Sequence, residues 1–248
     1  MTRRTLVALA LAILWQGLPA TAQVWPIRHR HDHVQGLDVS AEWFWISAVD
    51  RRTKTGWVWR VDRRTLQTVA ERNITQGALY HPGGLHVSGS SLWVPIAEYR
   101  PRSSARILEL DAMTLAERRS FPVKDHIGSV ATDGKAVVLG ANWDARRIYR
   151  WSLAGELLAV TDFPRALAIQ DMKWIEGVLY AGGVGLGSEK GRCLLAELDP
   201  STLAVLRQSQ MGPEICYTNE GMALFAGRFF FLPEDEPSSR IYVTPPPW

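Results

Sequence analysis

Three histidines stand at corresponding places in three similar stretches of the sequence. His33 begins "HVQGLDVS", His81 begins "HPGGLHVS" and His126 begins "HIGSVATD", so the three recur about 45 to 48 residues apart. Neutral imidazoles together with a carboxylate are typical ligands of zinc, iron or manganese. If the fold brings these side chains together, they predict a divalent metal site. The alternative is that each histidine starts a repeated unit by bonding to the neighbouring backbone.

Other residues of these stretches could bind an organic ligand or transfer protons. Gln35 stands two residues after His33, and Glu220 has the same place in a related stretch near the C-terminus. Carboxylates act as general acids or bases, and aromatic rings offer stacking surfaces. The candidates for proton transfer are Glu220 and Glu98. The candidates for ligand binding are Gln35, Tyr99, Trp143, Asp144 and Asn219.

A second histidine pattern and several missing motifs narrow the chemistry. His29, His31 and His33 alternate in "HRHDH", so they would share one side of an extended strand, as a surface metal site or as a solvated entry into the first repeat. The sequence has no Gly-x-Ser-x-Gly elbow, His-Glu-x-x-His pair, phosphate loop or dinucleotide fingerprint. These absences exclude the enzyme classes that depend on those motifs.

The elements that must position these residues recur five times along the chain. One position in the repeat recurs about every 42 to 50 residues and is held by Gly36, Gly84, Ser129, Asp171 and Gly221. Glycines that follow it separate two β-rich runs in four of the copies, at Gly89, Gly134, Gly177 and Gly227. Each of these glycines therefore predicts a hairpin turn.

The second half of the unit also repeats. Three copies end a strand with Asp-x-x-Thr-Leu, beginning at Asp62, Asp111 and Asp199. Aspartate and threonine side chains can bond to nearby backbone N–H groups and fix a tight turn into a further strand. Each unit thus predicts four antiparallel strands in about 45 residues, which is the size of a propeller blade.

The last unit lacks a strand. After "SRIYVT" the chain ends in three prolines and a tryptophan, and proline cannot supply ladder N–H groups. The segment "AQVWPIRHR" lies ahead of the first unit and is the available donor. We therefore predict an all-β, five-bladed propeller of four-stranded antiparallel blades, with the last blade closed by the N-terminal strand. A β-sandwich or an open array is the alternative.

The N-terminus and the charge balance predict where the protein acts. Residues 1–22 combine Arg3 and Arg4 with an almost uncharged stretch and small residues at Ala20 and Ala22, as in a secretory signal peptide cleaved near Ala22. Sec export and twin-arginine export both remain open. We expect a single propeller domain over residues 23–248, in the periplasm or secreted, without a membrane span. The chain has 28 basic and 25 acidic residues, a near balance that gives no reason to expect a nucleic-acid partner.

Cys193 and Cys216 are the only cysteines in the sequence. An even pair in an oxidising compartment most simply forms a disulfide. The alternative is a thiol nucleophile or a metal ligand.

The stretches "HVQGLDVSAEWFWIS", "YHPGGLHVSGSSLWVP" and "DHIGSVATDGKAVVLGANWD" resemble a family of exported bacterial propeller proteins without an assigned function. That resemblance implies the fold and export and leaves the activity open.

A partial resemblance extends further. "QGLDVS" with the later "RSSARILELD" is similar to the opening blades of glutaminyl-peptide cyclotransferases, five-bladed propellers that form pyroglutamate from an N-terminal glutamine. Gln35 fits that family's Gln-Gly-Leu, whereas Gly83 stands where the family has a glutamate. In the first strands of the repeats, a Glu-Gly pair followed by an apolar residue appears only at Glu220. The resemblance implies Glu220 or Glu98 as the proton-transfer group and Trp143 as a wall of the substrate site.

Three functions are compatible with the sequence. The first is a propeller that binds a small ligand, a peptide or a divalent metal at the channel mouth, and a metal ion is the one cofactor it suggests. The second is an enzyme, either of the cyclotransferase type or a metal-assisted hydrolase or lyase. The third is a partner-binding scaffold.

Overall fold

The computed structural model describes residues 23–26, 33–163, 167–212, 214–233 and 239–248. Within these ranges the chain forms five antiparallel sheets, and each sheet is one blade of a β-propeller. This confirms the predicted fold. Residues 1–22, the proposed signal peptide, lie outside the described ranges, as do His29 and His31.

The strands follow the repeat of the sequence. The first described strand is β1 (Gln23–Pro26), and blade one comprises β2 (His33–Val39), β3 (Trp43–Asp50), β4 (Thr55–Asp62) and β5 (Thr68–Asn73). Blade two comprises β6 (His81–Pro82), β7 (His86–Ser88), β8 (Ser91–Ala97), β9 (Ala105–Asp111) and β10 (Glu117–Val123). Blade three comprises β11 (Ile127–Thr132), β12 (Val137–Asn142), β13 (Arg147–Ser152) and β14 (Leu157–Asp162). Blade four comprises β15 (Leu167–Ile175), β16 (Val178–Gly185), β17 (Cys193–Leu198) and β18 (Val205–Gln210). Blade five comprises β19 (Gly221–Phe225), β20 (Arg228–Leu232) and β21 (Arg240–Thr244). Two short 3-10 helices are Trp143–Ala145 and Gly187–Glu189.

The N-terminal strand closes the last blade, as predicted. β1 pairs antiparallel with β21, and Trp25 lies opposite Ile241 in the register. The Trp25 ring packs on Phe44 of blade one and Phe230 of blade five, at centroid distances of 5.5 and 5.9 Å. The first and last blades therefore share an aromatic cluster, which stabilises the closure through buried apolar area.

The turns form as the sequence predicts. Gly89, Gly134, Gly177 and Gly227 all have positive φ, the region that favours glycine. In the Asp-x-x-Thr-Leu turns the aspartate accepts hydrogen bonds from the threonine. Asp62 Oδ1, for example, accepts from the Thr65 backbone N–H at 2.7 Å and from its hydroxyl at 3.0 Å. Asp111 and Asp199 repeat these contacts. The turn is thus a property of the local sequence.

The inner strand of blade two is interrupted at its double glycine. The Gly84 N–H donates to the Gly128 carbonyl at 2.8 Å, and the Val130 N–H donates back to the Gly84 carbonyl at 3.1 Å. The first strands of two neighbouring blades therefore bond to each other inside the channel. A Cβ on Gly83 would overlap the Gly128 carbonyl oxygen, so this approach requires glycine.

Cys193 and Cys216 form a disulfide, as predicted, with their Cα atoms 5.3 Å apart. The bond ties β17 of blade four to the connection that enters blade five. A loop of this length contributes roughly 3 kcal/mol in the chain-entropy account. Among the described residues, no helix has the length and apolar character needed to cross a bilayer.

Candidate functional site

A cavity of about 270 Å³ opens at the end of the channel where the innermost strands begin. Four of the five residues at the predicted histidine position line it: His33, His81, His126 and Ala168. The fifth, Thr218, instead donates its hydroxyl to the Gly183 carbonyl at 2.8 Å. The position two residues further along contributes Gln35, Gly128, Gln170 and Glu220. Strand periodicity therefore places the aligned residues around one cavity, as the repeat predicts.

One side of the cavity is a hydrogen-bonded polar group. The Gln35 amide nitrogen donates to Glu220 Oε2 at 3.2 Å and lies 2.9 Å from His33 Nε2. The Asn219 amide donates to Glu220 Oε1 at 3.1 Å. Asn219 does not line the cavity itself, and it contacts the site through this carboxylate. The structure thus brings together four predicted site residues from the first and fifth blades.

The opposite side is a cluster of aromatic and imidazole rings. His81 stacks on Tyr99 with a centroid distance of 4.0 Å and an interplanar angle of 11°. His126 meets Trp143 edge to face at 4.5 Å, and His81 lies 5.4 Å from His126. Tyr99 and Trp143 follow the second strands of blades two and three, so the loops at this mouth deliver both predicted rings to the cavity.

Hydrogen bonding fixes the tautomer of His126. Its Nδ1 lies 2.9 Å from the Glu98 carbonyl oxygen and 3.1 Å from that of Arg100. Because a carbonyl oxygen only accepts, Nδ1 carries the proton and Nε2 of the neutral ring is left as an acceptor. Burial lowers the pKa of His126, although the two carbonyl bonds oppose that shift. His126 is therefore neutral at pH 7.

His81 is neutral for a related reason. Burial holds its pKa well below the ordinary value, and the nearby rings of His126 and His33 add to the effect. The residue is 7% exposed, and its Nδ1 has no hydrogen-bond partner among the described residues. A buried ring nitrogen without a partner is uncommon in folded proteins. The wall of the cavity therefore contains a buried ring nitrogen whose hydrogen-bonding capacity is not used by the described residues.

The three-histidine metal site stays a prediction. Within the described ranges, no group of three or more His, Cys, Asp and Glu side chains is placed so that it could hold a metal ion. The His33 and His81 ring centroids are 6.4 Å apart. His126 has only Nε2 available, because its Nδ1 is bonded to carbonyl groups.

Other predicted residues lie away from the cavity or outside the description. The Glu98 carboxylate accepts from the Ser104 hydroxyl and from Arg100 Nε, both at 2.8 Å, and does not line the cavity. Glu98 contacts the site through its backbone carbonyl, which holds His126. The side chain of Asp144 lies outside the described part of the structure.

The floor of the cavity is a buried ion pair that sequence reasoning missed. Asp171 follows Gln170 and is fully buried beneath the mouth, as is Lys173. Asp171 Oδ2 accepts from the backbone N–H of Met222 at 3.0 Å and of Leu37 at 3.2 Å. Lys173 Nζ donates to Asp171 Oδ1 at 2.6 Å. One carboxylate thus binds the inner strands of blades one, four and five.

Lys173 extends this network to blade two. Its Nζ also donates to the Leu85 carbonyl at 2.7 Å and to the Met172 carbonyl at 3.0 Å, so all three of its protons are used. Burial raises the pKa of the Asp171 carboxyl, and the Lys173 ammonium opposes that rise. The pair closes the channel below the cavity.

The alignment of the repeats contains a sequence signal for this buried ion pair. Asp171 occupies the position that is glycine in blades one, two and five, and a Cβ on Gly84 would lie 2.5 Å from Asp171 Oδ1. A Cβ on Gly36 or Gly221 would similarly crowd neighbouring backbone. Gly84 leaves the space that the Asp171 carboxylate fills, so a single acid among aligned glycines was a signal for this buried group.

Known structures share this architecture. A glutaminyl cyclase from Myxococcus xanthus is similar with a TM-score of 0.63 and 16% identity, over 92% of this chain and 98% of that chain. A protein of unknown function from Bacteroides caccae is similar with a TM-score of 0.53 and 10% identity, over 84% of this chain and 73% of that chain. At such identities the likeness shows the fold alone.

No curated protein matches the chain by sequence. The profile of a family of unknown function, DUF6454, matches residues 9–175, which is more than half of the chain. That result confirms the resemblance to a propeller family without an assigned function. The protein therefore belongs to the DUF6454 family.

Proposed function

We propose that the protein binds a small organic molecule with an amino or other cationic group in the cavity at the channel mouth. Among the described residues that line this cavity, Glu220 is the one acid, and none is a lysine or an arginine. His81 and His126 add no positive charge at neutral pH, because burial lowers the pKa of both. An ionised Glu220 would give the cavity a negative charge that favours a cation.

The aromatic wall supports the same class of ligand. Tyr99 and Trp143 both line the cavity, and their ring centroids are 6.5 Å apart. A cation beside such rings gains roughly 0.5 to 2 kcal/mol, with the larger values at desolvated positions. Gln35 and Gln170 add amide groups that could orient a polar ligand.

The unfilled nitrogen of His81 is the observation that carries the proposal. A buried polar atom without a partner costs about 1 to 3 kcal/mol. A ligand that turned the His81 ring and bonded to Nδ1 would remove that cost on binding. The Asp171–Lys173 pair below, whose polar atoms are all bonded, gives no comparable opening.

The test is calorimetric titration and thermal denaturation with three probes: choline, putrescine and glutamine amide. We expect at least one of them to bind and to raise the melting temperature. A probe present at about 100 times its Kd would stabilise the fold by roughly 2.7 kcal/mol.

Two variants test whether the probes bind in the cavity. Glu220→Gln removes the charge and His81→Leu removes the nitrogen, so each should abolish the stabilisation. Glu98→Gln is the matched control, because the Glu98 carboxylate lies outside the cavity. Failure of all three probes, or an equal loss in the control, would contradict the proposal.

A second candidate is pyroglutamate formation. The fold is shared with a glutaminyl cyclase over nearly the whole of both chains, and Gln35 is bonded to Glu220 in the cavity. In that reaction the α-amine attacks the side-chain amide carbon and ammonia leaves. Glu220 would move the proton from the amine to the departing nitrogen, and Trp143 would form the substrate wall.

Mass spectrometry of a peptide with an N-terminal glutamine tests this candidate. We expect a mass loss corresponding to ammonia with the unmutated protein and none with Glu220→Gln. An unmutated protein that binds amines yet leaves the peptide unchanged would restrict the function to binding.

A further inference from the structure

We propose that a groove beside the cavity is a separate anion-binding site that accepts a carboxylate or phosphate group. The groove encloses about 580 Å³ along blade three. Four basic residues line it, and only two acidic ones do: Arg102, Lys124, Arg146 and Arg147 against Asp125 and Asp162. The lining therefore carries a net positive charge, although the protein as a whole is close to neutral.

The two acids do not neutralise the groove equally. Asp125 is buried, and its oxygens accept from the His126 N–H at 2.8 Å, from the Asn142 amide at 2.9 Å and from the Tyr149 hydroxyl at 2.8 Å. Its hydrogen-bonding capacity is directed into the protein. Asp162 lies 3.8 Å from Arg147 Nε with its side chain 94% exposed, which makes a weak surface pair.

Two of the cations are available to a ligand. Arg102 and Lys124 are exposed, and neither forms an ion pair within the described ranges. They come from different segments, the loop after β8 and the entry to blade three, yet they border the same groove. Two unpaired cations that border one groove provide an electrostatic site for a group with more than one anionic oxygen.

The groove adjoins the mouth without being part of it. A smaller cavity of about 210 Å³ lies between them, lined by Arg102, Arg146 and Trp143 among others, and Asn142 borders all three spaces. The anion site stands independently of the amine-binding proposal, because it shares none of the groups on which that proposal rests. Failure of the amine probes would leave it intact.

The test is calorimetric titration with citrate and with pyrophosphate at constant ionic strength. Constant ionic strength matters because salt screens exposed charges. We expect saturable binding of at least one probe, and the preferred probe distinguishes a carboxylate ligand from a phosphate ligand. The double variant Arg102→Gln/Lys124→Gln should weaken that binding at least about tenfold, since it removes two charge-assisted contacts.

The matched control is Lys135→Gln/Arg228→Gln. Both control residues are exposed, and each lies at a turn at the far end of its blade from the mouth. The two double variants have the same net charge, and because all four residues are exposed, both should melt as the unmutated protein does. Absence of binding by both probes, or an equal loss in the two variants, would overturn the proposal.

Discussion

Two histidines five residues apart in blade two, His81 and His86, show how differently the channel treats its polar groups. Both are buried, and burial lowers the pKa of both, that of His86 to about 3. His86 Nδ1 accepts from the Thr132 N–H at 3.0 Å, whereas His81 Nδ1 has no partner among the described residues. The ring nitrogen is thus bonded at one depth of the channel and lacks a described partner at another.

The surroundings of each histidine repeat this contrast. Below the mouth, Asp38 accepts from the backbone N–H of Val39 and Val87, and Lys173 uses all three of its protons. At the mouth, the rings of His81 and Trp143 are held mainly by stacking and border open space. Below the mouth, a polar network whose groups are hydrogen-bonded helps to specify how the blades pack. At the mouth, a polar group without a partner would gain free energy from a new hydrogen bond.

The floor should be the most sensitive part of the molecule. Lys173→Met leaves the Asp171 carboxylate buried without its cation, and we expect a loss of about 3 to 5 kcal/mol in the free energy of unfolding. Urea denaturation measures it. Lys190→Met is the control, because Lys190 is exposed in a loop. Equal midpoints for the two variants would show that the buried pair contributes little.

The two histidines themselves form a matched pair. His86→Leu removes the acceptor of the Thr132 N–H and should cost about 1 to 3 kcal/mol. His81→Leu removes the cost of the unpartnered nitrogen but also the stacking of the imidazole on Tyr99. Because these two effects oppose each other, the unfolding free energy should change by less than about 1 kcal/mol. Parallel urea curves check the difference. A His81 variant that loses as much as the His86 variant would contradict the open character of the mouth.

Acid should destabilise the protein through its buried histidines. Their pKa values are lower in the folded than in the unfolded chain, so the unfolded state takes up protons first and stability is lost as the pH falls below about 6.5. Asp38 and Asp171, with pKa values raised by burial to about 6 and about 7, act in the opposite direction. Their contributions are lost as the pH rises through those values, but the three buried histidines outnumber them. Unfolding free energies measured between pH 7 and pH 5 should therefore fall.

Two variants separate these opposing groups. His86→Gln should make the acid loss shallower by up to about 1.4 kcal/mol per pH unit. Asp38→Asn should make it steeper, because it removes the group that gains stability on acidification. Slopes that change in the same direction in both variants would show that other groups dominate.

The smallest effect is expected for the Glu98 carboxylate. It forms an exposed pair with Arg100, and such pairs contribute little to stability. Glu98→Gln should leave the unfolding curve unchanged. It should also leave the pKa of His126 depressed in an NMR titration, because burial causes the depression and the lost carboxylate charge had opposed it. A His126 pKa that returned to its ordinary value would show that burial of the ring is not what lowers it.

The residues that could be predicted are those whose role follows from the repeat. The turns at Gly89 and Asp62, the pairing of β1 with the last blade and the grouping of His33, His81 and His126 at one mouth all follow from aligned positions. Glu98 shows what the alignment of the repeats cannot predict. Alignment places this residue at the channel mouth, but only the structure shows that its backbone carbonyl, and not its carboxylate, accepts a hydrogen bond from His126.

The sequence alone determined the number of blades, the position of the turns and the residues that surround the channel, because period-two strands and turn-forming residues act locally. Only the tertiary structure decided which of these polar residues are satisfied. Asp171 and Lys173 find their partners on strands far away in the chain, at Leu37, Leu85 and Met222. Hydrogen bonding between blades depends on distances that no repeat pattern contains. The difference between the closed floor and the open mouth therefore appears only when the ring is assembled.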